Sequence, residues 1–386
     1  ITAAFIGPGS LTVCALAGVD FGFELLWAVL FSCLITIFLQ NIVAGLSHKY
    51  NLGLIELLKK KVYGKRLKSF FIGYILLTIF FGNTAYQAGN ISGSLIGLNK
   101  LLEIITPEFS QLINPFLLLI IGVILISIIL KQNIKLLKTI LGIAVLLMSV
   151  SFLIAAILTK PNLNDLLYGF FIPRWRPETW STIVAVLGTT IVPYNLFLHA
   201  WLVKKERSKN INFDSFKKDT ITAVSFGGII STSIVIAAAG ANINELVSID
   251  DLGTSLHNLY GQKSELFISL GLFSAGLSSA LTAPLAAAFI VQESLNEYSS
   301  KRKLQIIVPI LIIVSGLIFT FLDSNPFNLI RLAQILNGLM LPGITLFISY
   351  LYFSVQKNSF DFKIRIFGLL LLFLFFTFLA FKILFL

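Results

Sequence analysis

Long apolar runs separated by short polar connections make up nearly the whole chain. They lie near 1–20, 24–46, 69–98, 113–131, 136–159, 178–203, 220–241, 264–292, 304–322, 327–355 and 364–385. Each approaches or exceeds the roughly 20 residues that a helix needs to cross a bilayer. The pattern predicts an all-α integral membrane protein of about eleven transmembrane helices. Two of the runs are broken, the first at Gly7-Pro8-Gly9-Ser10 and the sixth at Thr189-Thr190-Ile191-Val192-Pro193-Tyr194-Asn195. Each proline removes an amide donor, and irregular backbone is tolerated at membrane depth only where it lines a cavity or is buried in protein. One such site reads as a simple proline kink. Two at matched positions predict a pair of inverted five-helix repeats with a binding site where the breaks meet.

On this reading spans one to five cover about 1–159 and spans six to ten about 178–355, with an extra span near 364–385. The whole of 1–386 is expected to form a single transmembrane transporter domain that works as a monomer. Tyr50–Lys68 is expected to be an amphipathic connection with Leu52, Ile55, Leu58 and Val62 on one side. The chain opens inside an apolar run at Ile1, so a preceding segment holding the start of the first span is expected.

Composition agrees with a membrane protein: 56% of residues are hydrophobic, 12% are charged and the mean hydropathy is +0.91. A soluble domain would carry about a quarter charged residues. The net charge of +11 gathers in alternate connections, Lys49–Lys68, Lys131–Lys138, Lys204–Lys218, Lys301–Lys303 and Lys357–Arg365. That is the positive-inside pattern, and it predicts a plasma (inner) membrane protein with its N-terminus cytoplasmic and its C-terminus outside. The same distribution offers no basic, aromatic-interleaved groove for nucleic acid. Cys14 and Cys33 sit in apolar stretches and read as small buried hydrophobes. No nucleophile–base constellation or metal motif appears, so no enzyme and no cofactor is expected.

The residues around the breaks resemble the NRAMP family of proton-coupled divalent metal transporters, essentially end to end. Gly7-Pro8-Gly9-Ser10 is similar to the family's first-helix Asp-Pro-Gly-Asn. Val192-Pro193-Tyr194-Asn195, followed by Leu196-Phe197-Leu198-His199, is similar to its sixth-helix Met-Pro-His-Asn and trailing Leu-x-Leu-His. Leu25-Leu26-Trp27, Ser274 to Ser279 and Gln334 support the match. The resemblance implies the LeuT/APC-like inverted-repeat fold with helices 1 and 6 broken. The departures fall on the chemistry. The family's metal-binding Asp aligns with Gly7, its Asn with Ser10, its Met with Val192 and its sixth-helix His with Tyr194. The span-three acidic pair associated with proton movement aligns with Asn83 and Tyr86, and the 18 Asp and Glu residues all fall in loops or at span ends.

Half-helix N-termini offer free N–H groups and a positive dipole end. With hydroxyls and amides and no carboxylate, the expected site is Gly7, Gly9, Ser10, Thr12, Thr189, Thr190, Tyr194, Asn195 and Gln334. A divalent cation usually needs carboxylates, so the expectation is import of a small monovalent anion such as bicarbonate. The alternative is a divalent metal ion (Mn²⁺, Fe²⁺ or Mg²⁺) at an altered site, and a third reading is a non-transporting sensor that keeps the fold. Anion import runs against an inside-negative potential at ~2.3 kcal/mol per charge per 100 mV, which calls for coupled Na⁺ or H⁺. Ser278, Ser279 and Thr282 are Na⁺ candidates by analogy with other inverted-repeat transporters, and His199 is a proton candidate. Asn83, Tyr86, Gln87 and Asn90 in span three, and Asn337 in span ten, are candidate pathway groups, with interhelical hydrogen bonding the alternative. The many Phe residues read as lipid-facing bulk.

Overall fold

The computed structural model describes residues 6–106, 114–131, 135–207, 212–241, 243, 245–246, 248–295, 301–322, 325–356 and 360–385. These residues form α-helices joined by short turns and 3₁₀ segments, and no strand occurs among them. In chain order the helices are α1 Pro8–Phe21, α2 Leu26–Tyr50, α3 Leu54–Lys61, α4 Lys65–Ile105, α5 Asn114–Lys131, α6 Lys135–Leu158, α7 Leu163–Phe171 and α8 Trp180–Thr190. They continue with α9 Pro193–Arg207, α10 Phe213–Ala239, α11 Ile249–Thr254, α12 His257–Tyr260, α13 Ser264–Leu295, α14 Lys301–Leu322, α15 Pro326–Val355 and α16 Phe360–Phe385.

Nine helical stretches among the described residues are long and apolar enough to cross a membrane, one of them the broken pair α8–α9. Pro8–Phe21 and Phe116–Leu130 are shorter apolar helices. Together they match the eleven runs read from the sequence. At 14 residues, α1 reaches about 21 Å at 1.5 Å per residue, the length of a half-helix and not of a full span. Residues 1–5, before the first break, lie outside the described residues, as do parts of the basic connections at 132–134, 208–211, 296–300 and 357–359.

The central packing is built on small residues that let backbones approach, the device expected where lipid supplies no hydrophobic drive. Along the α4–α13 contact, a Cβ on Gly97 would stand 2.6 Å from the Ser269 carbonyl oxygen. One on Gly276 would stand 2.5 Å from the Asn90 carbonyl oxygen. Outer helices face lipid instead: α16 carries exposed Phe367, Leu374 and Phe378. The expectation that phenylalanines are lipid-facing bulk needs correcting, because Phe152, Phe347 and Phe376 are among the largest fully buried side chains. Helix packing is tight enough at those points to take a whole aromatic ring.

Charge lies at the ends of the helices. At one end the connection 50–68 folds into α3, whose Leu54, Ile55, Leu57 and Leu58 are buried, with Val62 just beyond. This bears out the amphipathic reading. The α3 helix is held by a Lys204–Glu56 ion pair at 2.5 Å and by Lys59, whose ammonium donates to the Glu293 carbonyl at 2.9 Å and to that of Ser294. At the opposite end Lys100 meets Asp250 at 2.7 Å and Glu265 at 3.2 Å, while Arg174 and Arg176 both pair with Glu24.

Candidate functional site

The two breaks are built by proline at the first turn of each following half-helix, where its missing N–H is no loss. Pro8 opens α1 after an extended Gly7, and Pro193 opens α9 after Ile191 and Val192 leave the α8 helix. Apart from the half-buried Thr190, the residues here are buried: Thr12 is 0% exposed, Gln334 1%, Tyr194 3%, Thr189 4% and Asn195 7%.

Around this centre the structure separates the expected residues into groups. Gly9 permits a close approach: a Cβ there would land inside the amide of Gln334 on α15. Position 7 points at α4 and α13, since a Cβ on Gly7 would lie 3.1 Å from the Ser279 hydroxyl and 3.4 Å from that of Tyr86. The Tyr86 ring in turn meets the Tyr194 ring edge-on at 5.6 Å. Thr12 Oγ1, Asn83 Nδ2, Asn90 Nδ2, Asn195 Nδ2, Asn337 Nδ2 and Gln334 Oε1 are buried without a hydrogen-bond partner. Unpaired buried polar atoms are costly, and such a group of them in one region asks for a reason.

Other expected members are engaged elsewhere. The Ser10 hydroxyl is not free for cargo: it accepts from the Gly7 amide and donates to the Gly7 carbonyl, both at 3.0 Å, closing the α1 N-terminus on itself. Thr190 is half-buried, donating to Val186 O at 3.0 Å and accepting from Ser32 at 3.1 Å. Ser278, Ser279 and Thr282 do not converge. Ser279 faces Gly7, while Thr282 donates to Ser278 O and both stay half-buried on the adjacent face. Gln87 Nε2 donates to Ala280 O of α13 at 3.1 Å, the interhelical bond weighed as its alternative role, while its Oε1 is buried without a partner. His199 Nε2 pairs with Thr220 at 3.2 Å and is buried. Cys14 and Cys33 are buried free thiols, as expected.

The sequence reading missed one feature. Ser32, Thr36 and Gln40 on α2 are 0–2% exposed and form a buried polar stripe that starts at Thr190. Thr36 donates to Ser32 O, and Gln40 Oε1 has no partner. Their four-residue spacing was the available signal, since i, i+4 positions share a helix face. No group of three or more His, Cys, Asp or Glu side chains that could hold a metal occurs among the described residues. A cleft of about 210 Å³ lies away from the breaks, lined by Glu24, Asp165, Tyr168 and Arg174 among others.

Comparison with known proteins places these observations. The profile of the family described as natural resistance-associated macrophage protein-like (Nramp) matches residues 1–384. A natural resistance-associated macrophage protein 2 homolog from Dictyostelium discoideum is 26% identical over 363 residues, which is 89% of this chain and 55% of that protein. The chain thus spans about half the length of that relative. The divalent metal cation transporter MntH of Bacillus subtilis is 27% identical over 350 residues, 86% of this chain and 77% of the relative. In structure, a mutant of the Eremococcus coleocola manganese transporter superposes with a TM-score of 0.74 at 18% identity, over 97% of this chain and 83% of that one. Inward-facing Mhp1 does so with a TM-score of 0.55 at 15% identity, over 94% and 78%. At these identities the two structures speak for the fold alone.

Proposed function

We propose, from the premise that this chain belongs to the Nramp family, that it is a secondary transporter carrying a divalent metal cation of the Mn²⁺, Fe²⁺ or Mg²⁺ class through the two helix breaks. The observation that supports this best is the family match over residues 1–384, which includes both breaks, together with relatives named as divalent metal cation transporters. This reverses the order of the two expectations, in which the anion stood first.

The altered ligands define how such a cation would be held. Glycine at 7 and valine at 192 leave neither a carboxylate nor a sulfur donor, so carbonyls at the end of α8, amide oxygens and hydroxyls remain. The unpartnered Gln334 Oε1 is one such donor. Neutral oxygens compensate lost hydration poorly, so the ion keeps part of its water shell, as Mg²⁺ does in most protein sites. The driving force suits a cation. Entry of two charges gains about 4.6 kcal/mol per 100 mV of inside-negative potential, at ~2.3 per charge. Coupled Na⁺ or H⁺ is then optional for accumulation.

One observation favours the second reading, import of a small anion such as bicarbonate. The Asn83, Asn195 and Asn337 Nδ2 groups are buried donors without partners, and Asn195 lies in the first turn of α9, where a helix N-terminus favours negative charge. Here a coupled cation is obligatory.

Uptake into proteoliposomes decides between them. Mn²⁺ or Mg²⁺ uptake that follows an inside-negative potential without any Na⁺ or H⁺ gradient is the expected result. Gradient-dependent uptake of labelled bicarbonate, with no metal flux, would reverse the assignment.

A further inference from the structure

At position 7 the backbone is extended, φ −121° and ψ 178°, so its glycine is not required by conformation. Space is the constraint. A Cβ at Gly7 would stand 3.1 Å from Ser279 Oγ and 3.4 Å from Tyr86 Oη, two side chains that are 5% and 3% exposed. A carboxyl group carried on that Cβ would have to share this close-packed neighbourhood with two buried hydroxyls. Tyr86 packs edge-on against Tyr194, ring to ring at 5.6 Å. Ser279 belongs to α13, which is locked to α4 through the Gly276 contact.

We infer that Tyr86 and Ser279 are the specificity-determining residues of this site: their hydroxyls replace a side chain at position 7, exclude a carboxylate from it, and meet the ion in its stead. Glycine at 7, serine at 279 and tyrosine at 86 therefore act as one unit. A hydroxyl presents lone pairs to a cation and a proton to an anion, so the unit serves either cargo. The inference rests on the two breaks being the ion site, but not on which ion is carried.

Two measurements on the purified full chain test it. The first is a mutant cycle read by thermal unfolding, with Gly7→Ala and Gly7→Asp each made in the native chain and in a Tyr86→Phe/Ser279→Ala background. Both position-7 variants should lower the melting temperature, and the background should cut each loss by more than half. Additive effects, or a Gly7→Asp variant more stable with the hydroxyls present than without, would overturn the exclusion. The second is the rise in melting temperature with Mn²⁺, Mg²⁺, Na⁺ or bicarbonate. For whichever ion stabilises the native chain, Tyr86→Phe should weaken the apparent affinity by about tenfold or more, the size of one lost hydrogen bond to a charged group. Unchanged affinity in both Tyr86→Phe and Ser279→Ala would refute their contact with the ion. Stabilisation by bicarbonate alone would displace the metal reading and leave this one standing. Absence of stabilisation by all four ions would overturn the contact with the ion, whatever the mutant cycle shows.

Discussion

Gly188 and Gly338 meet backbone to backbone where α8 crosses α15. A Cβ on Gly188 would collide with the Gln334 carbonyl and come within 2.7 Å of the Gly338 amide, and neither group can rotate aside. Gly188→Ala is therefore expected to destabilise by about 1–3 kcal/mol, the range of an overpacked core, as read by thermal unfolding in detergent. Gly73→Ala is the matched control: it has open space around it and should be neutral or gain up to ~1 kcal/mol of helix propensity. Ser10 belongs to the same scale. Because its hydroxyl serves the Gly7 amide and carbonyl, Ser10→Ala should cost about 1 kcal/mol in unfolding free energy. No loss at all would return Ser10 to the pool of groups available to cargo.

Among the elements, α3 carries the clearest electrostatic signature. Burial alone would push the Glu56 carboxyl up, but the Lys204 hydrogen bond and charge, with the Gly53 amide, outweigh it and hold Glu56 below the usual carboxylate range. A depressed carboxyl contributes stability that is present above its unfolded value of about 4.3 and is lost as pH falls through the folded value. Docking of α3 on α9 and α13 should therefore hold at neutral pH and weaken in acid. Hydrogen exchange across Leu54–Lys61, taken as protection relative to the intrinsic rate at each pH, is the measurement: protection should fall below about pH 4, and Glu56→Gln should lessen that fall, the neighbouring Glu293 carboxyl carrying the rest. Protection that is flat with pH in the native chain would show that the apolar face of Leu54, Ile55, Leu57 and Leu58 holds α3 by itself.

For the whole molecule, lysines that the sequence scatters over distant connections gather at one end. Lys49 reaches Gln356 at 2.8 Å, Lys59 reaches Glu293 O, and Lys204 reaches Glu56. The positive-inside rule predicts that this end is the cytoplasmic one. Single cysteines report on this directly, because the native Cys14 and Cys33 are 1% and 8% exposed and should stay silent to an impermeant maleimide. Lys60→Cys is expected to label only from the cytoplasmic side, and Lys263→Cys only from outside. The reverse pattern would invert the topology.

The sequence by itself determined the spans, their number and the two breaks. Apolar run length against a fixed bilayer thickness and proline in a helix are local facts, legible without knowing any neighbour. The family was legible for the same reason, since Val192-Pro193-Tyr194-Asn195 and Gly7-Pro8-Gly9-Ser10 are contiguous in the chain. Only the tertiary structure decided which of the polar residues already hold intramolecular partners. Ser10, Thr190 and Gln87 read alike in the sequence, and only the packed helices show their hydrogen bonds to Gly7, Ser32 and Ala280. The Ser32-Thr36-Gln40 stripe was spaced for detection, yet its burial against Thr190 was not. Most of all, the sequence shows Gly7 as a missing side chain, whereas the fold brings the Ser279 and Tyr86 hydroxyls to 3.1 and 3.4 Å from where that side chain's Cβ would stand. Such convergence across three helices comes from volume and approach, quantities that exist only once the helices have packed.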